Sequence, residues 1–457
     1  MAHLRTEFLA EVLEPAGCDV RVGRHEAILD GEADSRRVKR GDLFVAFRGA
    51  RLNGNDFLDE AFARGAVAAI AEREPDQPWP DRTLALADDT RRALAILARE
   101  WRKACGTTVV GITGTVGKTS TKELTAELLS VFFHTHRSKE NFNSLEGLPL
   151  ALMSLRHDHQ VSVLEMAMDR KGEIRALCEI AHPRVGIVLN IGATHAEKVG
   201  RIEEIAEEKL SLARWLPESG TAILNADDPR VAAGAAGLAA RVLTFGESPE
   251  ADLRATDVEE RGLEGTAFTV RSGDRAVRTS CPLPGRHVLP AALAALAAAM
   301  VLGVRLEEAA EALPGLRVQG RLRVLRAPGG WQILDDTYNS SPASLEGALR
   351  LLARLDGRRV AVLGHMAELG EYSEPEHRRL GKVAATCADL LVVVGEAARP
   401  LAASAAEEGA AVEWFAEKDE AAAWLASRLR AGDVVLLKGS RSAALEALIP
   451  WLMEGAP

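Results

Sequence analysis

The segment GITGTVGKTSTKE, residues 111–123, carries the sharpest chemical signal in the sequence. A strand-like run, TTVVGIT (107–113), enters a glycine-rich turn, and a helix-like run, TSTKELTAELLSVFF (119–133), follows it. Such a turn lets backbone N–H groups face a phosphate, while the helix N-terminus adds partial positive charge. The candidate triphosphate cradle is Thr113, Gly114, Thr115, Val116, Gly117, Lys118, Thr119 and Ser120. Lys118 would reach the terminal phosphates and Thr119 would place a hydroxyl on Mg²⁺. The strict Walker spacing asks for glycine at 112, where Ile112 stands; the glycines here are Gly111, Gly114 and Gly117. A glycine-rich turn without a ligand is the bland alternative, and the strand–turn–helix context argues against it.

Further along, Glu165 ends the strand-like VSVLE. A carboxylate at the C-terminal end of a parallel strand faces the crevice where ligands bind, and a hard cation such as Mg²⁺ favours its oxygens. His195 lies in NIGATH, just past the strand-like RVGIVLN (184–190), and Lys209 follows fourteen residues on, in EEIAEEKLSL. Alone, such a histidine reads as structural and such a lysine as part of a charged helix face. The chain holds 11 Lys against 45 Arg, however, so a lysine kept among so many arginines is enriched for special chemistry. Near the C-terminal third, GRLRVL (320–325) and DDTYNSSP (335–342) offer Arg321 to a phosphate and Asp336, with Asn339, to a ribose. KGSRS (438–442) sets Lys438, Ser440 and Arg441 in a cation-plus-turn arrangement suited to a carboxylate. Both segments read equally well as ordinary loops. Ser35 and Arg36, in DSRR, would suit a diphosphate or a base, and turn formation explains them as well.

These residues need elements to hold them. Residues 34–47 are turn-rich, followed by the helical DFLDEAFARGA, a strand at 67–72, a Pro-rich stretch at 74–82 and a strand at 83–87. A helix at 90–106 leads into a clean alternation, with strands expected at 107–113, 161–167, 184–190 and 220–227 and helices at 119–133, 172–181 and 202–216. Apolar runs without polar alternation, separated by helices, imply a parallel sheet covered on both faces. A more β-like stretch follows at 241–281. VLPAALAALAAAMVLGV (288–304) is slightly short for a membrane span and reads as a buried helix. After Pro314-Gly315 a second α/β unit begins, with strands at 331–336, 358–364, 389–395 and 433–439. The fold expected is α/β in three domains: a central P-loop parallel-sheet domain flanked by an N-terminal and a C-terminal Rossmann-like α/β domain.

Composition closes off other classes. With 457 residues, 47% apolar and 27% charged, the chain is an ordinary globular protein rather than a disordered or fibrous one. A net charge of −10 and 4% aromatic residues argue against nucleic acid as a partner. Five widely separated cysteines cannot all pair, which fits a reducing cytoplasm. The opening MAHLRTEFLAEVLEP is too weakly apolar for a secretory leader, and no membrane insertion is expected. A P-loop switch is disfavoured because NADD (225–228) is not an NKxD-type base reader.

Taken together, the chain resembles the Mur ligase family over nearly its whole length. GITGTVGKTS is similar to that family's phosphate loop, and DSRRVKRGDLFVAFRGARLNGNDFLDEAFARGA to the UDP-binding first domain of its later-acting members. VLGHMAELGEYSEPEH (362–377), DDTYNSSP and LLKGSRS resemble the member that adds D-alanyl-D-alanine. The resemblance implies an ATP-dependent amide ligase of bacterial cytoplasm acting on UDP-N-acetylmuramoyl-tripeptide and D-alanyl-D-alanine through an acyl phosphate. It implies residues 1–88 as the UDP-substrate domain, 89–317 as the ATP domain, and 318–457 as the domain that binds the dipeptide and closes on ATP. Lys118, His195 and Lys209 are the implied catalytic residues. Thr119, Glu165, His195 and a carbamylated Lys209 would hold two Mg²⁺, and Asn141 and Asn143 of NFNSLEG the peptide substrate. A monomer is expected. The sequence departs from the family in Ala167 after Glu165-Met166, in Ser144, in Val288 and Ala291 of GRHVLPAA (285–292) at the adenine site, and in His365, where Asp is usual. A ligase adding diaminopimelate, lysine or glutamate, a non-ligase P-loop NTPase, and an inactive paralogue are the competing readings.

Overall fold

The computed structural model of the chain describes residues 3–139, 142–192, 196–318 and 322–454. Three α/β units follow one another, each with its own sheet, as expected. The first has five strands in the spatial order Asp19–Arg21, Thr83–Leu86, Ala68–Ala71, Asp42–Val45, Asp30–Glu32, all parallel except the first. Asp42–Val45 lies inside the stretch read as turn-rich; its four residues are all buried, and burial on both faces gives it strand character despite the charged turn before it.

The helix Thr90–Cys105 joins the first unit to the second. Asp89 caps it by accepting the N–H groups of Arg91 and Arg92, and Gly106, at φ 67°, ends it in a conformation that favours glycine. Its buried face includes Trp101, whose ring meets Phe8 edge-on and whose Nε1 donates to Leu155 O at 3.0 Å.

The central sheet has nine strands. Thr108–Thr113 lies in its interior, between Val185–Val188 and Val161–Glu165, all parallel. The register sets Ile112 beside both Glu165 and Ile187, so the phosphate turn, Glu165 and the 189–192 turn emerge together at one sheet edge. The β-like stretch expected at 241–281 adds to the far side, where Leu253–Glu260, Thr266–Ser272 and Arg275–Cys281 form an antiparallel meander. LRATDVEE alternates buried and water-facing residues, and a half-exposed strand suits antiparallel pairing. Thr135–Arg137 and the helix Gly147–Leu152, unassigned in the sequence, are too short to show a period. The Ala-rich segment forms the buried helix Leu289–Val301, packed on the helix Lys118–Ser130 that carries the phosphate turn. No helix among the described residues is long and apolar enough to cross a membrane.

The third sheet orders Arg323–Arg326, Gln332–Asp336, Val434–Lys438, Arg359–Leu363, Leu390–Val394 and Val412–Phe415, antiparallel only at Arg323–Arg326. GRLRVL, read as a loop, is from Arg323 onward this edge strand. Arg323 is fixed by its Nε and Nη2 both donating to Oδ2 of the buried Asp335 carboxylate, a pairing invisible in the sequence.

Ala297 is fully buried in the core shared by the two packed helices. Ala297→Leu is expected to overpack that core and cost about 1–3 kcal/mol of stability, read from urea unfolding.

Candidate active site

The phosphate turn is anchored before any ligand arrives. Gly117, at φ 83°, begins the helix Lys118–Ser130 from a backbone region that favours glycine. Asn190 accepts the Thr115 N–H at its carbonyl (3.0 Å) and the Val116 N–H at its Oδ1 (2.9 Å), and its Nδ2 donates back to Val116 O at 3.0 Å. Thr115 Oγ1 bonds Gly192. The Thr115 and Val116 amides, expected to face phosphate, are therefore spent on Asn190. Internal bonding of the helix begins with the Thr121 N–H to Gly117 O, and the helix N-terminus lies at the cavity, where its dipole favours an anion. Asn190 closes a strand-like run, the one hint of it in the sequence. Thr113 is fully buried behind the turn.

Two lysines converge on one oxygen. Lys118 Nζ donates to Gly114 O at 2.7 Å and to Thr115 O at 3.1 Å, and Lys209 Nζ reaches the same Gly114 O at 3.1 Å from the helix Ile202–Trp215. Lys209 is 1% exposed. Burial first, and the charge of Lys118 second, hold its amine well below the usual lysine range, against the opposing pull of Glu208. Glu208 is itself occupied, accepting the Gly172 and Ile174 N–H groups.

Beside them, Glu165 is 1% exposed. Its Oε2 accepts from Thr119 Oγ1 at 2.8 Å and its Oε1 from Asn143 Nδ2 at 2.9 Å. Asn143, expected on the substrate, thus orients Glu165, and its own carbonyl accepts the Ala167 N–H. A hydroxyl and a carboxylate on one spot are hard-oxygen donors that fit Mg²⁺, which takes few protein ligands and completes its shell with water and phosphate. Among the described residues no three His, Cys, Asp or Glu side chains converge to hold a metal by themselves. His195, Asn141 and Arg321 lie outside the described residues.

A cavity of about 960 Å³ opens over this edge and is walled by the second and third units. Thr115 to Ser120, Asn143 and Glu165 line one side; Asp336, Asn339, Lys438, Ser440 and Arg441 line the other. Leu283, Pro284, Val288, Pro290 and Ala291 make an apolar end, and Tyr338, Asp169 and Glu368, unanticipated in the sequence, complete the wall. Lys438, expected to meet a carboxylate ligand, is 1% exposed with its Nζ on Asp336 Oδ2 (2.5 Å) and Asn339 O (3.0 Å). Its charge is spent inside the wall, and Arg441, over the Tyr338 ring at 5.7 Å, is the cation this turn presents.

Ser35 and Arg36 are not brought to the cavity. Ser35 Oγ donates to Glu60 at 2.7 Å, and Arg36 forks onto Asp34 at 2.9 and 2.7 Å, so both build their own turn. That contact and the fork hold the Glu60 and Asp34 carboxyls below their ordinary values.

Comparison with known proteins agrees with this geometry. The Mur ligase middle domain model matches residues 112–299, the glutamate ligase domain model residues 320–441, and the Mur ligase family catalytic domain model residues 32–102. The UDP-N-acetylmuramoyl-tripeptide–D-alanyl-D-alanine ligase of Bacillus subtilis is 33% identical over 94% of both chains, and that of Escherichia coli 35% identical over 92% of this chain and 93% of its own. Among solved structures, MurF from Acinetobacter baumannii superposes with a TM-score of 0.87 at 30% identity, covering 99% of this chain and 100% of its own. MurF from Thermotoga maritima in complex with ADP gives 0.80 at 31% identity, over 93% and 97%.

The depressed Lys209 value has a sign that can be measured. The unfolded chain holds that proton up to about pH 10.4 while the folded chain releases it earlier, so stability rises with pH between the two values. Lys209→Met is expected to gain stability at neutral pH and to flatten that rise. Urea melts at several pH values in CO₂-depleted buffer check it.

Proposed function

The chain belongs to the Mur ligase family, and from that premise we propose how its residues carry out the reaction. It is an ATP-dependent ligase that joins D-alanyl-D-alanine to UDP-N-acetylmuramoyl-tripeptide in peptidoglycan precursor synthesis. The observation that carries the mechanism is the meeting of Lys118, Lys209 and the Thr119–Glu165 pair around one turn, at the edge of a cavity shared by two domains.

The chemical obstacle is charge. The tripeptide carboxylate must approach the γ-phosphorus of ATP, and both are anions. Attack forms an acyl phosphate and expels ADP; the dipeptide amine then attacks the acyl carbon, and phosphate leaves. Lys118, already aimed along the turn, supplies a fixed positive charge where the phosphates lie. Thr119 and Glu165 would hold one Mg²⁺, and His195 with a modified Lys209 a second. Bound there, the ions would offset the repulsion between phosphate and carboxylate oxygens.

Lys209 suits that modification. Its burial favours the neutral amine, the form that adds to the carbon of CO₂; the nitrogen loses a proton and the side chain becomes a carbamate anion. An arginine could not do this, which accounts for a lysine in a chain that otherwise prefers arginine. In this reading residues 1–88 hold the UDP portion, 89–317 the ATP and 318–457 the dipeptide, through Arg441 and the turn around it. The enzyme acts as a cytoplasmic monomer and its domains close on the substrates.

Lys118→Ala and Lys209→Ala are each expected to lower ligation by about 10³-fold or more, as loss of a transition-state charge partner does. Short carboxylates should partly restore Lys209→Ala, and full activity without additive would refute its role. Phosphate release is expected to need both UDP-tripeptide and D-alanyl-D-alanine, with diaminopimelate and lysine failing as the amine. Release that ignores the amine would overturn the ligase reading.

A further inference from the structure

At the cavity edge of the third sheet, two strand ends set a histidine against a serine. Arg359–Leu363 continues into Gly364-His365 and its neighbour Val434–Lys438 into Gly439-Ser440. Gly364 N–H donates to Lys438 O and Ser440 N–H to His365 O, both at 2.9 Å. The two glycines approach so closely that a Cβ on Gly439 would lie 3.2 Å from the Gly364 Cα. This places His365 Nε2 2.8 Å from Ser442 Oγ, and Ser442 Oγ 3.1 Å from Ser440 Oγ. Both serines line the cavity, with His365 partly buried behind them.

A second histidine fixes this arrangement. His377 accepts the Met366 N–H at Nε2 (2.9 Å) and donates from Nδ1 to Ser373 O (2.7 Å), which makes it the neutral Nδ1–H tautomer. Burial holds His365 below the ordinary histidine value. The charged groups on the surrounding elements are Lys438 with its partner Asp336, Arg441 on the serine turn, and Glu368 on the loop after His365, which meets Lys198. A neutral imidazole hydrogen-bonded to a serine that faces a ligand cavity is a proton acceptor with a ready-made wire.

We propose that His365, acting through Ser442, takes the proton that the incoming dipeptide's ammonium must lose before it attacks. The inference rests on the reading that these strand ends hold the dipeptide. The ammonium proton passes to Ser442 Oγ as the serine's own proton passes to His365 Nε2. The freed lone pair forms the C–N bond, the bond from the acyl carbon to the phosphate oxygen breaks, and phosphate leaves with that electron pair. The extra proton on nitrogen departs with the phosphate, and the imidazolium returns its proton to water. Ser442 is the group that meets the substrate, and His365 is a positioning and proton-holding residue behind it.

Only the neutral imidazole can accept, so kcat should fall as pH drops through the His365 value. The test measures amide product against pH for the full chain and for His365→Gln, His365→Asp and Ser442→Ala. His365→Gln and Ser442→Ala should lose about 100-fold in kcat with little change in the KM for UDP-tripeptide, as loss of a general base does. His365→Asp should recover part of the rate with its acid limb moved toward the carboxylate range. Hydroxylamine, an amine largely uncharged at neutral pH, serves as a second nucleophile in each protein. Because it needs no deprotonation, the ratio of hydroxamate to dipeptide product should rise about 100-fold in His365→Gln. An unchanged ratio and an unchanged acid limb would overturn the relay, while a variant that fails to fold loses both products together and His365→Asp then decides. Failure of the unaltered chain to ligate any amine would instead overturn the dipeptide reading beneath it.

Discussion

Two lysine ammonium groups cannot both keep their charge within hydrogen-bond reach of a single buried carbonyl. Lys118 and Lys209 meet at Gly114 O, and the more deeply buried of the two yields. Lys118 lines the cavity at the phosphate turn, and Lys209, beside it, is biased toward its neutral amine. The difference is set by place rather than by residue type. Lys118 sits on the cavity wall, whereas Lys209 lies behind the turn. In a low-dielectric interior, desolvation and like-charge repulsion act in the same direction on the second amine.

That meeting depends on the sheet. Thr108–Thr113, Val161–Glu165 and Val185–Val188 run parallel and end in register, so the groups just past their ends share one edge. Asn190 locks the phosphate turn onto the 189–192 segment, and Asn143 and Thr119 take one oxygen each of Glu165. Asn190, Asn143 and Thr119 are uncharged, so these anchors add no charge to the site. The same logic recurs in the third domain, where the ends of Gln332–Asp336, Val434–Lys438 and Arg359–Leu363 supply Asp336, Lys438, the serine turn and His365.

The second and third domains meet through contacts of modest strength. Lys198 bridges Asp169 at 3.2 Å and Glu368 at 3.1 Å, linking the second domain to the third at the cavity rim. Its side chain is 42% exposed, and ion pairs of that exposure are worth about 1 kcal/mol or less. Arg354 with Glu260 makes a further joint between these two domains, and Lys139 with Asp30 ties the second domain to the first. The first and second domains share one continuous apolar core, which takes in Leu43, Ile70, Trp101 and Leu148, whereas the second and third also have cores of their own, so the third domain separates at far less cost than the first.

The sequence alone determined the local chemistry and the layer order. GITGTVGKTSTKE specified strand, turn and helix because glycine placement and apolar runs act over a few residues, and the alternation of apolar segments announced three α/β domains. Short or charge-rich strands escaped it: Asp42–Val45, Thr135–Arg137 and Arg323–Arg326 exist because partners elsewhere in the chain pair with them. What a side chain does when several compete for it was likewise decided only by tertiary structure. Asn143 turned to Glu165, Lys438 to Asp336, and Ser35 to Glu60, partners that residue type alone does not select. His365 found Ser442, 77 residues away. Residue type fixes which bonds a group can make; burial and the neighbours that folding delivers fix which of them it does make.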